Sequence, residues 1–177
     1  FLSIFLLAGG IAIGQDSLPE PAFKAGEFWH FDVKESRSAS TSRALKGVYQ
    51  VSFTNDTFGI SEVGDDKELD RSQAQRARLL AMFGRGDYYG GQYLKFPLAV
   101  GQNWQLTYRE RPTGGRVEET WTAHVEVQGI ENVTTPAGTF RTYKVVRTNV
   151  WGSRRRTIIL NYSPETKCIV KADYEFG

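Results

Sequence analysis

At 177 residues, with 40% hydrophobic and 13% aromatic side chains, the chain suits one domain with a sizeable core and is short for two. Its 22 basic and 20 acidic residues leave a net charge of +2, which excludes the concentrated basic surface of a dedicated nucleic-acid binder. A single cysteine, Cys168, excludes an intrachain disulfide and a thiolate metal site, and its apolar setting in CIVKADYEF points to packing.

The first 14 residues, FLSIFLLAGGIAIG, carry no charge and give way at once to the polar, proline-bearing QDSLPEP. An apolar run of this length fits the hydrophobic region of a signal peptide, because a membrane span needs roughly 20 apolar residues. Ala12 and Gly14 supply the small-x-small pattern ahead of a cut before Gln15. The expectation is a signal-peptide remnant over 1–14 and a single β-rich exported domain over 15–177, bacterial and periplasmic or secreted, meeting the membrane only through its signal segment.

Short β-type segments then recur: EFWHFDVKE, GVYQVSFTN, TFGISEV, NWQLTYRE, ETWTAHVEVQGI, RTYKVVRTNVW, RTIILNYS and CIVKADYEF. In ETWTAHVEV, Trp121, Ala123, Val125 and Val127 fall on one face and Thr122, His124 and Glu126 on the other, the period of two that marks a half-buried strand. Turn chemistry separates the segments at 112–115, 136–138, 151–153 and 163–165. In Pro136-Ala137-Gly138, proline presets φ and glycine can take a positive φ, so Phe140 is expected to be buried as the next strand starts.

One segment departs from the β pattern. Asp65 or Asp66 can cap a helix over 66–83, with Leu69, Gln73, Arg76 and Leu80 at helical spacing and Gly84 ending it. Leu69, Leu80 and Phe83 supply its apolar stripe, and Arg71, Arg76 and Arg78 face solvent.

The chain also echoes itself. AFKAGEFWHFDV and PLAVGQNWQLTY share Gly-x-x-Trp ahead of an extended stretch, matching Gly26 with Gly101 and Trp29 with Trp104, as two related β-meanders or chance would.

No nucleophile elbow, phosphate loop or dinucleotide glycine pattern is present. His30 and His124 lack a metal-site spacing, and Glu118 and Glu119, being adjacent, point to opposite faces of a strand and cannot work as a paired acid and base. The run Arg154, Arg155, Arg156 at a hairpin tip reads as solvated before it reads as a phosphate site. No catalytic residue, metal or cofactor is assigned.

The stretch VTTPAGTFRTYKVVRT at 133–148 and LNYSPETKCIVKADY at 160–174 resembles the TapB-like group of uncharacterised bacterial exported proteins, through Val-x-x-Pro-Ala-Gly-Thr-Phe, Lys-Val, Tyr-Ser-Pro and Ile-Val-Lys. The resemblance covers roughly residues 96–177. It implies a half-barrel of the LolA and LolB type, in which a curved antiparallel sheet wraps apolar side chains beneath short helices.

The fold class expected is therefore mainly β, a curved antiparallel sheet or half-barrel with one amphipathic helix packed on it. The function expected is a non-catalytic exported binding module that holds an apolar or amphipathic ligand, such as a lipid or lipoprotein, against Trp29, Trp104 and Trp121. The alternative is a ligand-independent structural or interaction subunit with a protein partner in the cell envelope, which a core already filled by side chains would favour.

Overall fold

The computed structural model describes residues 17–33, 47–62, 65–68, 79–84, 92–110 and 118–176. Their strands are β1 (Phe28–Val33), β2 (Gly47–Thr54), β3 (Thr57–Glu62), β4 (Asp65–Glu68), β5 (Asn103–Glu110), β6 (Glu119–Thr135), β7 (Gly138–Trp151), β8 (Arg154–Ser163) and β9 (Cys168–Phe176). They form two antiparallel meanders, β1-β2-β3-β4 and β5-β6-β7-β8-β9, and neither closes on itself. The protein is mainly β, as its alternating segments foretold.

Tight turns explain the meanders. Asn55 and Asp56 both take positive φ, 50° and 58°, the twist that a two-residue hairpin needs, and join β2 to β3. Pro136 and Ala137 join β6 to β7, while Pro164–Lys167 joins β8 to β9 with Lys167 at φ 59°. Phe140, expected in the core, is only half-buried because the β6–β7 hairpin runs out past the apolar region.

The start of the expected helix over 66–83 is corrected. Asp65–Glu68 is strand β4, paired with β3 through Ser61–Glu68 and Glu62–Asp65. Backbone partners on the β3 edge outweigh a capping preference worth about 1 kcal/mol. Residues 69–78 lie outside the described residues, and after them Leu79–Ala81 is helical, closed by a turn through Gly84. That short piece nonetheless faces two ways. Leu79 and Phe83, four apart, enter one core, and Ala81 enters the other.

The first core belongs to the four-stranded sheet. Tyr49, Val51, Phe53, Phe58 and Ile60 meet Phe83, Phe23 and Cys168, with Phe58 and Phe83 centroids 4.9 Å apart. The second lies on one face of the five-stranded sheet, where Val125, Val127, Val145, Leu160 and Ile169 meet Leu94 and Leu98 from the segment before β5. Cys168 and Ile169 are neighbours on β9 yet sit in different cores, so the start of that strand is apolar on both sides. Its edge is held by the Ile169 N–H, which donates to the Met82 carbonyl at 2.7 Å.

The internal echo extends to atomic detail. Gly26 and Gly101 take φ 90° and 85°, a conformation that costs glycine little. Gly26 N–H donates to Phe53 O at 2.9 Å, and Phe53 N–H donates to Glu27 O at 2.9 Å. Gly101 N–H and Val127 O, then Val127 N–H and Gln102 O, repeat that pattern at 2.8 and 2.9 Å. Even the side chains correspond: Glu27 accepts from Lys24 N–H at 3.0 Å, as Gln102 accepts from Ala99 N–H at 3.2 Å. Each sheet is thus opened by the same turn, which feeds Trp29 and Trp104 into their respective cores.

Candidate functional site

The three tryptophans do not share a cavity. Trp29, on β1, packs edge-on to Phe83 at 4.8 Å, and its indole N–H donates to the Thr166 carbonyl at 2.6 Å. Trp104, on β5, packs beside the core of the five-stranded sheet, and its buried indole nitrogen has no hydrogen-bond partner. Trp121, on β6, is fully buried with Tyr108 and Ala123 in a third cluster.

Strand register explains the separation. On the face that carries them, Trp104 pairs with Val125, Leu106 with Ala123, and Tyr108 with Trp121, so Trp104 and Trp121 are four rungs apart on opposite strands. Around Trp104 the rungs are apolar. Around Trp121 they are charged, because Glu110 pairs with Glu119 and Asn149 with Arg156.

This charged end is a stacked lattice of guanidinium groups, rings and carboxylates. Arg156 lies 4.1 Å over the Trp121 ring and reaches Glu110 Oε2 at 2.9 Å. Arg154 lies 4.8 Å over Trp151 and reaches Glu119 Oε1 at 3.4 Å, while the Trp121 indole N–H donates to Glu119 Oε2 at 3.1 Å. Deeper still, buried Arg147 sits between the Tyr93 and Tyr108 rings, at 4.8 and 5.1 Å, and donates to Asn149 Oδ1 at 2.8 Å. Burial pushes the Tyr108 hydroxyl above its ordinary range, opposed by the charge of Arg147. Within the lattice, each carboxylate has its own guanidinium and each of these guanidiniums a ring, an arrangement that rigidifies one end of the sheet.

The solvated reading holds for Arg154 and Arg155, which both stay exposed, Arg154 even as it reaches Glu119, and is corrected for Arg156, which folds back on the sheet. Sequence reasoning missed Glu110, whose register partner Glu119 lies across a hairpin of unreadable length. Glu118 and Glu119 do face opposite ways: Glu118 pairs with Arg109 at 3.6 Å on the solvent side. His30 meets Gln50 at 3.0 Å, and His124 is exposed. Among the described residues no three potential metal ligands cluster. Burial pushes the Cys168 thiol up to about 11, leaving it protonated and unreactive at neutral pH.

A cleft of about 270 Å³ lies between the start of β1 and the β8–β9 turn, lined by Glu27, Phe28, Trp29, Glu165 and Lys167. A smaller one of about 80 Å³ lies by Glu20, Phe83, Gln92 and Phe96. Ligand pockets commonly span about 300–1,000 Å³, so both fall short.

The cleft adjoins a clasp between the sheets. Lys167 donates to the Ala22 carbonyl at 2.9 Å and pairs with Glu27, and these contacts, with Trp29 on Thr166, tie β1 to the β8–β9 turn. The hydrogen bond from Lys167, aided by the Lys24 N–H, lowers the Glu27 pKa below the usual carboxylate range. A depressed pKa contributes stability above the unfolded value that is lost as pH falls through the folded value. Glu27→Gln should therefore unfold more readily than the native protein at pH 7, by about 0.5–1 kcal/mol, and the gap in urea midpoint should close toward pH 3.

Comparison with protein-family models, curated proteins and solved structures finds no match to this chain.

Proposed function

We propose that the chain is a non-catalytic exported module whose role is structural: it presents its surfaces to partners in the cell envelope and carries no ligand in its interior. The observation behind this reading is the filling of the sheet. Leu94 and Leu98, both at 0% exposure, occupy the apolar face of the five-stranded sheet where a carrier would hold its cargo. In this reading the sheet is the wall of a half-barrel plugged by residues 92–100. Burying two leucines contributes about 4 kcal/mol, which an incoming acyl chain would have to replace. Export is supported by the apolar run at 1–14, of the length of a signal-peptide hydrophobic region.

A carrier remains the second reading, favoured by one observation. The unpartnered indole nitrogen of Trp104 beside the plug would gain an acceptor from the polar head of an amphipathic ligand. Native mass spectrometry of protein matured in a bacterial periplasm, followed by denaturing extraction, separates the two. A bare polypeptide mass is expected; a stoichiometric lipid adduct would overturn the structural reading in favour of the carrier.

A further inference from the structure

We infer that two copies of this chain associate through β1, antiparallel about a two-fold axis at His30. β1 is the outermost strand of its sheet. Phe53 N–H donates to Glu27 O, which marks Glu27 and Phe53 as a hydrogen-bonded pair, and ladder alternation makes Trp29 with Val51 and Phe31 with Tyr49 the next two. The backbone groups of Phe28, His30 and Asp32 consequently point away from β2, off the side of the sheet where no further strand lies among the described residues.

Natural edges are blunted by proline, lysine, a bulge or covering chain. β1 reads FWHFDV, with neither proline nor lysine, and pairs with β2 without a register shift. Phe28, at 61% exposure, is the most exposed of the large hydrophobic residues described. An alternating row of outward N–H and C=O groups is matched only by another extended backbone.

A second copy of β1 fits this row. Centred on His30, antiparallel pairing closes both backbone hydrogen bonds at Phe28, His30 and Asp32. It sets Trp29 opposite Phe31 of the second copy, an aromatic pair of the kind favoured across strands, and puts Phe28 opposite Asp32, so that no two carboxylates of the strand meet, while the two His30 residues face each other on the axis. The cleft by Glu27, Phe28 and Trp29 then has a use. Those positions lie opposite residues 31–33 of the second copy, so each cleft receives the far end of the other strand. The contact is isologous and closes as a dimer without propagating.

β5 is the comparable edge of the other sheet, but its Arg109 side chain, 75% exposed and held by Glu118, guards it. The inference deepens the interaction-module reading by naming one partner, and it is independent of what fills the interior: a lipid adduct would overturn that reading and leave this one standing.

Sedimentation velocity of the mature chain tests the inference. The mass should move from monomer toward dimer between about 1 and 500 µM, as befits a small interface. His30→Pro removes an N–H that β2 does not use and should leave a monomer, whereas His30→Ala keeps that N–H and should still dimerise. Near-UV circular dichroism checks that the proline variant is folded; if it is not, Phe28→Asp, which sets two carboxylates opposite each other at each Phe28–Asp32 rung, should weaken the dimer at least about tenfold. A monomer throughout the range, a dimer unmoved by both His30→Pro and Phe28→Asp, or a dimer abolished by Thr107→Pro on β5 would overturn it.

Discussion

Trp121→Ala is expected to lower the unfolding free energy by about 4 kcal/mol, a large part of the total for a domain of this size. Three costs combine. The largest buried side chain leaves a cavity in a cluster with Tyr108 and Ala123. Glu119 loses its indole donor at 3.1 Å inside a nearly buried setting, where a weakened carboxylate is costly. Arg156 loses the ring 4.1 Å beneath it. Trp121→Phe keeps most of the volume and a ring for Arg156 but no donor for Glu119, and should cost about half as much. Urea unfolding followed by far-UV circular dichroism measures both. A loss under about 1 kcal/mol for the alanine variant would mean that the lattice of Glu110, Glu119, Arg154 and Arg156 stands without its central ring.

Leu94→Ala is the second large effect, expected to cost about 3 kcal/mol. Leu94 is fully buried, and its Cβ sits 3.0 Å from where a Cβ on Gly84 would be, so turn and plug are in close contact. Gly84 has no side chain with which to fill the space left behind. The hollow would be lined by apolar side chains and hence ready for an apolar guest. Binding of benzene or xenon should rise several-fold over the native protein while far-UV circular dichroism stays unchanged. A variant that loses stability without gaining such binding would show that the neighbours collapse into the gap, and would weaken the half-barrel view of the sheet.

Much of the fold was legible in the chain because β alternation and turn residues act locally. Trp121 to Val127 announced their face, and Pro136-Ala137-Gly138 their hairpin, without reference to the rest of the molecule. The Gly-x-x-Trp echo was visible too, although only the matching hydrogen bonds at Gly26 and Gly101 distinguish it from composition. The start of the helix expected over 66–83 misled because Asp65–Glu68 has good capping chemistry, and the edge of β3 that captures it is a tertiary fact. The tryptophans misled differently. A side chain on an inward face is readable, but which of three clusters it enters depends on register, and the pairing of Glu110 with Glu119 depends on where a hairpin turns.

The two-sided start of β9 has a consequence for cooperativity. A one-residue slip of this strand would move Cys168 into the core of the five-stranded sheet and Ile169 into that of the other, mispacking both at once. Its register is thus specified twice, and neither sheet can melt without exposing apolar surface of its neighbour. Two open meanders that would each be marginal alone are welded into one thermodynamic unit, so heat or denaturant should dissolve them in a single transition.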